Sequence, residues 1–452
     1  MQITKFIDRV EEIQSLDNRW KQNEAQFIVI YGRRRIGKTE LIKQFMKNKK
    51  GIYFLGRLES KKDQLNRISK CLSDFFSDPV LSLSPLTSWD AVFEYINEKN
   101  EKIILTIDEF PYVVKTSPEL LSVLQDHWDN TLRFSKIFLI ICGSSLSMME
   151  KYVFDYATPI YGRRTFDIKV TSLTFDNLQE FFPNKNLEEV ANIHGVLGGT
   201  PAYLLDFEKD IYHTIKKIIS KQSFLLREPE FILREEVSEP RFFFSILHAI
   251  SIGKTTVGEI MTHTGLKRGI IGKYLSTLID LDMVYRDIPI TASWKSRKGR
   301  YHIKDNFFNF WFRFIYPNSS YIETNQKIVP LLIKKELHAY MGKIFENICL
   351  QFLIKKKTSN TLKIGRWWYK DKEIDIVGLH EKTKEIIFFE CKWKDLTYNQ
   401  SLKILIDLKE KTPHVQWHND TRLEKYGIMA KKIEKKNDLR KNGYLAYDLD
   451  DF

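Results

Sequence analysis

Cysteine is scarce in this chain. Four thiols, Cys71, Cys142, Cys349 and Cys391, are scattered over 452 residues with no C-x-x-C pair. That argues against a structural zinc site and a disulfide framework, and it suits a reducing compartment. Long apolar runs are missing too. The longest, such as 137–142, fall far short of the roughly 20 residues that span a bilayer. The opening Met1-Gln2-Ile3-Thr4-Lys5-Phe6 does not read as a secretory signal. Repeats and low-complexity tracts are absent. Together these absences predict a soluble, cytoplasmic protein with no membrane partner.

What is present is bulk, apolar content and positive charge. At 452 residues the chain predicts two to four domains. A hydrophobic share of 43%, with 13% aromatic, is enough for real cores. The net charge of +13 favours anionic partners, nucleic acid first and membrane surface second, over a merely solvated basic surface.

Residues 32–39 read Gly-Arg-Arg-Arg-Ile-Gly-Lys-Thr, the G-x-x-x-x-G-K-[ST] spacing of a phosphate-binding loop. Glycine at 32 and 37 lets the backbone wrap a phosphate that a Cβ would crowd. The turn opens a helix whose unpaired N–H groups and positive dipole end face the anion. Gly32, Arg33, Arg34, Arg35, Ile36, Gly37, Lys38, Thr39 and Glu40 are the candidate nucleotide-binding stretch. Lys38 is expected at the β- and γ-phosphates of ATP, and the Thr39 hydroxyl on Mg²⁺. The flanks predict a buried strand at 26–31 and an amphipathic helix at 40–46. Arg33 to Arg35 are expected to face solvent or a neighbouring domain, with phosphate or nucleic-acid contact as the alternative.

A second site must hold the metal and activate water. The apolar run 103–107 predicts a buried parallel strand, and Asp108 and Glu109 end it. Ligands of open α/β sheets bind at that end. Asp108 is the candidate Mg²⁺ holder and Glu109 the candidate general base. A third strand at 136–142 runs into Gly143-Ser144-Ser145. Ser144 or Ser145 either senses the γ-phosphate or caps the helix that follows.

These motifs, with Phe6-Ile7-Asp8-Arg9, Pro159-Ile160-Tyr161-Gly162-Arg163-Arg164-Thr165 and Gly198-Gly199-Thr200-Pro201, resemble the archaeal/bacterial ATPase family of the AAA+ and STAND grouping. The resemblance implies that Asp8 and Arg9 lie near the adenine. It implies that Arg163 or Arg164 contacts the γ-phosphate, in cis or across an oligomer; the second alternative carries with it a homo-oligomer or nucleotide-dependent self-association. It implies that Pro201 belongs to a lid motif reporting ATP or ADP.

Further along, helices at 242–252, 256–261 and 266–283, parted by Thr262-His263-Thr264-Gly265, have the rhythm of a helix-turn-helix. The last presents Lys267, Arg268 and Lys273. Strands at 283–289 and 299–303 enclose Trp294, Lys295, Arg297, Lys298 and Arg300, a basic hairpin suited to resting on DNA phosphates. His263 is read as a turn residue, not a ligand. The aromatic run 305–314 is read as a helix packed between domains, with base stacking as the alternative.

The last quarter offers a helix from Gly342 to about residue 353 and strands at 362–368, 372–378 and 386–393. Residues two apart on a strand share a face, so Glu390 and Lys392 point together, Cys391 points away, and Asp375 can lie beside Glu390. Two metal-holding acids, Asp375 and Glu390, with the Lys392 ammonium suit Mg²⁺-assisted phosphodiester hydrolysis. The set resembles the PD-(D/E)xK nuclease superfamily, with Ile374 where its name has proline, and Glu346 as an added carboxylate. Residues 431–436 read as a solvated charged face.

The expected fold class is α/β. It comprises a P-loop NTPase core of the AAA+/STAND kind (1–175), a helical lid (176–235) and a winged helix-turn-helix (236–305). An aromatic helical linker (306–333) and a PD-(D/E)xK restriction-endonuclease-like α/β domain (334–452) complete it. The expected function is ATP hydrolysis coupled to DNA binding and Mg²⁺-dependent DNA cleavage. The rivals are a signalling or scaffold ATPase that binds without cutting, and a defence or mobile-element component whose nuclease is released upon sensing.

Overall fold

A computed structural model of the chain describes residues 6–293, 295–356 and 362–452. Residues 1–5, on which the signal-peptide reading partly turned, and Trp294 lie outside the described residues. The chain divides into two compact units. The first holds 1–172 together with 200–202 and 234–238; the second holds 173–199, 203–233 and 239–452.

In the first unit, strands β1 (Gln26–Tyr31), β2 (Gly51–Leu55), β3 (Ile104–Asp108), β4 (Phe138–Gly143) and β5 (Phe166–Lys169) form one sheet in the order β2-β3-β4-β1-β5. Every pairing is parallel. Alternate residues on a strand face opposite sides. Phe27, Val29, Leu105, Ile107, Leu139 and Ile141 pack on one face. Ile28, Ile30, Ile104, Phe138, Ile140 and Cys142 pack on the other, against Leu41, Ile42 and Phe45 of the helix Lys38–Met46. Burial on both faces is why these strands read as unbroken apolar runs. Phe138 is 1% exposed; truncating it to alanine is expected to cost about 3–5 kcal/mol. The register sets Tyr31 beside Gly143 and Leu55 beside Asp108, so the strand ends that carry the motifs are level.

In the second unit, helices Pro240–Ser251, Val257–Thr264 and Arg268–Asp280 precede an antiparallel pair, β6 (Val284–Asp287) and β7 (Arg300–Ile303). Thr256 and Glu259 form a capping box at the second helix, and Gly265, at φ +71°, ends it. The aromatic run forms the helix Asn306–Phe310 and the turn Trp311–Ile315, and it is packed rather than wet. Phe307 meets the Tyr203 ring, and the Trp311 indole donates to Leu226 O at 2.8 Å.

One helix, Val329–Lys356, runs 28 residues and passes through the expected border at 333/334. Gly342 does not open it. Glycine in a helix costs about 1 kcal/mol, and the buried row Ile333, Leu337, Tyr340, Met341, Ile344, Phe345 and Ile348 outweighs that. The closing sheet has β8 (Leu362–Tyr369), β9 (Lys372–His380), β10 (Glu385–Leu396), β11 (Leu423–Ile433) and β12 (Leu445–Tyr447) in the order β12-β11-β10-β9-β8. The pairs β8–β9 and β9–β10 are antiparallel. The pairs β10–β11 and β11–β12 are parallel. The helix Tyr398–Lys411 lies between β10 and β11 in sequence, as a parallel crossover requires.

The reading of 431–436 as a solvated face is corrected at Lys431 and Lys436, while Lys432, Glu434 and Lys435 are exposed. Lys431 pairs with Glu188 at 2.7 Å, and Lys436 holds Asp448 and Asp451. These partners come from distant sequence, which local charge counting cannot see.

Candidate functional site: a phosphate loop and a cluster of acids

The phosphate loop sits at the carboxyl end of β1. A Cβ on Gly32 would lie 2.4 Å from Val170 O, and Gly37 has φ +97°, so neither position tolerates a side chain. Lys38 begins the helix and is buried; its Nζ donates to Gly32 O and Arg33 O, each at 2.9 Å. Burial pushes its pKa down, against the nearby charges of Glu109 and Asp108.

Thr39 Oγ1 donates to Asp108 Oδ2 at 2.8 Å, and the Tyr53 hydroxyl donates to the same oxygen. Asp108 is 2% exposed and accepts Glu109 N on its other oxygen at 2.9 Å. Of the two serines, only Ser145 takes the capping role. Ser144 Oγ donates to both Glu109 oxygens at 2.8 and 3.0 Å, whereas Ser145 caps the helix Leu146–Met149. Burial raises the Glu109 carboxyl, against the Ser144 hydrogen bond and the Lys38 charge.

Arg9 is buried with φ +71°; it donates to Ile36 O at 3.4 Å and Thr171 O at 2.5 Å, fastening the loop's far end. Asp8 is also left-handed, at φ +61°. Pro201 Cγ lies 3.9 Å from where a Gly37 Cβ would stand. The loop arginines part ways. Arg33 is buried, which corrects the solvent-facing expectation for that residue; Arg34 pairs with Glu235 at 2.9 Å; Arg35 is exposed, as is Glu40.

Arg163 requires a correction. Its guanidinium clasps Asp129, with Nη2 2.6 Å from Oδ2, and reaches Pro159 O. Thr165 N donates to Phe27 O at the start of β1, whereas the loop follows that strand's other end. A strand of this length spans about 17–20 Å. Arg163 therefore stands away from its own loop, and the cis alternative fails. Arg164 shares that end and pairs with Asp167.

Sequence reasoning missed Tyr53, Glu235 and Glu236. Tyr112 and Arg34 both bind Glu235, and Glu236 accepts from Leu146 N, Ser147 N and Ser145 Oγ. Tyr53 reads as one more strand aromatic until β2 is set beside β3. The glutamates read as ordinary helix charges.

In the second unit, the β9–β10 pairing runs to Ile376 and Phe389, the residues next to Asp375 and Glu390. Asp375 Oδ2 accepts Cys391 N at 2.8 Å. Lys392 Nζ stands 2.7 Å from Glu390 and 3.7 Å from Asp375. The expected metal pair is altered. Both Glu390 oxygens are engaged, one by Lys392 and one by Lys411 from the following helix. The acids whose oxygens gather within 4.8 Å are Glu346, Glu373 and Asp375. Burial and the Glu346 and Glu390 charges push Asp375 up to about 7. Burial would raise Glu390 as well, but Lys392 and Lys411 hold it down.

The basic hairpin is corrected at Arg300 alone, since Lys295, Arg297 and Lys298 are exposed. Arg300 pairs with Glu373 at 2.7 Å and lies over the Trp368 ring, and Trp368 Nε1 donates to Lys298 O. Arg300 faces β8 and β9, whereas Lys267, Arg268 and Lys273 of the preceding helix are exposed.

The site and sheet define a P-loop NTPase core, and a winged helix-turn-helix region accompanies it. Residues 6–207 match an ATPase domain predominantly from Archaea, 245–286 match a bacterial regulatory protein of the arsR family, and 311–404 match a family described as Archaea bacterial proteins of unknown function. An uncharacterized protein of Methanocaldococcus jannaschii is 40% identical over 454 residues, covering 99% of this chain and 100% of its own length. The chain belongs to the family of that protein, whose amino-terminal half here is an archaeal-type P-loop ATPase domain. An uncharacterized ATP-binding protein of the same organism is 52% identical over 48 residues, 11% of this chain and 81% of that protein. Among solved structures, the Walker-type ATPase of Pyrococcus abyssi shares the fold with a TM-score of 0.53 at 19% identity, over 68% of this chain and 96% of that one. No helix among the described residues is long and apolar enough to cross a membrane.

Proposed function

We propose that the protein is an ATP-hydrolysing switch that couples its nucleotide state to DNA. One observation carries this reading: Thr39, Asp108 and Tyr53 share one hydrogen-bonded cluster at the mouth of a glycine-lined loop, with Glu109 held beside it by Ser144. The donor set fits a Mg²⁺-nucleotide. Loop amides and Lys38 suit phosphate oxygens, and the Thr39 hydroxyl and Asp108 carboxylate suit the ion. The ion, when bound, neutralises charge on the phosphates. Lys38 exchanges the loop carbonyls for phosphate oxygens. Glu109 takes the proton of the attacking water at a carboxylate oxygen, and Ser144 orients that carboxylate. Asp8, Arg9 and Pro201 border the nucleotide, and Arg163 acts from a neighbouring copy.

DNA is bound through the helix Arg268–Asp280, whose Lys267, Arg268 and Lys273 face outward. The carboxyl-terminal sheet works as a PD-(D/E)xK-type nuclease. A Mg²⁺ there supplies Lewis acidity to a phosphodiester. Asp375 and Glu346 hold it, and Glu390 aligns Lys392 toward the attacking water. A reducing cytoplasm suits the four free cysteines. A second reading, a scaffold that binds DNA without cutting, is favoured by the cations already seated on Glu390 and Glu373.

Lys38→Ala should abolish ATP turnover while the fold persists; undiminished hydrolysis overturns the switch. Mg²⁺-dependent nicking of DNA by the wild type decides for cleavage, and its absence under every metal decides for the scaffold.

A further inference from the structure

Within the second unit, a cavity of about 660 Å³ opens among the winged helix, the long helix Val329–Lys356 and the β8–β9 turn. That volume falls inside the roughly 300–1,000 Å³ typical of small-molecule sites. Its walls carry Arg300, Arg313, Lys343 and Lys370 with Glu259 and Glu373; Lys343 is paired with Glu346 and Arg300 with Glu373.

Both acids are already partnered. Glu259 closes the capping box with Thr256, and Glu373 pairs with Arg300. Arg313 is less committed. It reaches Glu336 only at 3.4 Å, and its buried Nε has no hydrogen-bond partner among the protein atoms. His302 Nε2 is likewise buried without a partner. Burial and the charges of Arg366, Lys343 and Arg300 push His302 down to about 3, so the imidazole is neutral. The Arg313 Nε–H is a buried donor left unpaired, which an anionic ligand satisfies. One wall is aromatic: the Tyr285 and His302 rings lie 5.4 Å apart at 34°.

We propose that this cavity is a second ligand site, distinct from the phosphate loop, which takes a nucleoside monophosphate group. The phosphate meets Arg313 and Lys370, and the planar base lies against Tyr285 and His302. The group arrives either as a free nucleotide or as the 5′-phosphorylated end of a nucleic-acid strand. The two sources share the chemistry and differ in what extends beyond the cavity mouth.

The test is calorimetry on the full chain carrying Lys38→Ala, so that the phosphate loop contributes little. Adenosine monophosphate, a 5′-phosphorylated dinucleotide and inorganic phosphate are titrated separately. One-to-one binding of either nucleotide, tighter than phosphate alone, supports the site, and the tighter of the two names the source. Adding Arg313→Gln should weaken binding at least tenfold, and Tyr285→Leu about threefold or more. Arg313→Gln alone should leave ATP turnover unchanged. Absence of heat with both nucleotides, phosphate binding as tightly as they do, or equal affinity after Arg313→Gln overturns the proposal. If Arg313→Gln does not fold, Lys370→Gln replaces it. Histidine NMR of the Lys38→Ala chain then reads the site directly: the His302 resonances must shift with saturating adenosine monophosphate, and unmoved resonances overturn the proposal.

Discussion

The two acid centres are built on different principles. Around the phosphate loop, the carboxylates of Asp108 and Glu109 are held by hydroxyls, from Thr39, Tyr53 and Ser144. In the carboxyl-terminal sheet, Glu390 and Glu373 are held by cations, from Lys392, Lys411 and Arg300. Hydroxyl donors leave the negative charge of a carboxylate in place, open to an incoming cation. Of the cation-held acids Glu390 is buried, and its ion pairs are the costlier to break on one side only. The first centre is poised to receive a charged ligand, and the second is compensated until something displaces its lysines.

That contrast can be broken in order of expected effect. Glu109→Gln should cut ATP turnover by about 10²–10³-fold, the scale of losing one group that acts on the reacting atoms, with nucleotide affinity retained. Steady-state turnover beside equilibrium binding separates the two. Next, Glu390→Ala strands Lys392 and Lys411 without their shared carboxylate. Any Mg²⁺-dependent nicking should vanish while ATP turnover persists; a joint loss of both would mean the centres are not separable.

The third measurement is a melting curve against pH in chelator. Asp375 sits near pKa 7 in the fold and near 4 when unfolded. The folded state therefore binds the extra proton between those values, and this group's stabilisation is lost as pH rises from about 4 to about 7. Asp375→Asn should flatten that stretch. An unchanged slope would remove the strained carboxylate from the comparison. The smallest effect belongs to Tyr53→Phe. Losing one hydroxyl on Asp108 should cost about 1 kcal/mol of stability and lower turnover only a few-fold, read by chemical denaturation and assay on one preparation.

Legibility followed locality. The phosphate loop, β3 with its two acids, and the three helices of the winged region were readable because each is a continuous stretch with its own periodicity or caps. The pair Asp375 and Glu390 was readable because strand alternation places side chains two at a time. Lys411 was not, since its reach to Glu390 depends on how the helix Tyr398–Lys411 lies on the sheet. Arg300 was read as a free phosphate contact, because nothing beside it in the chain announces Glu373, 73 residues away. Arg163 carried two alternatives until the start of β1 was seen to anchor its segment.

By itself, the order of residues determined the parts: which segments are buried strands, where a helix opens after a glycine-bounded loop, and which acids end a strand. Those properties arise from backbone geometry and from side chains within one or two turns of each other. Only the assembled chain decided the pairings, in that Tyr53 serves Asp108, Lys411 serves Glu390, and the hairpin arginine answers an acid instead of solvent. Charge and hydrogen bonding act through space over a few ångströms, and folding brings together groups that the chain keeps far apart.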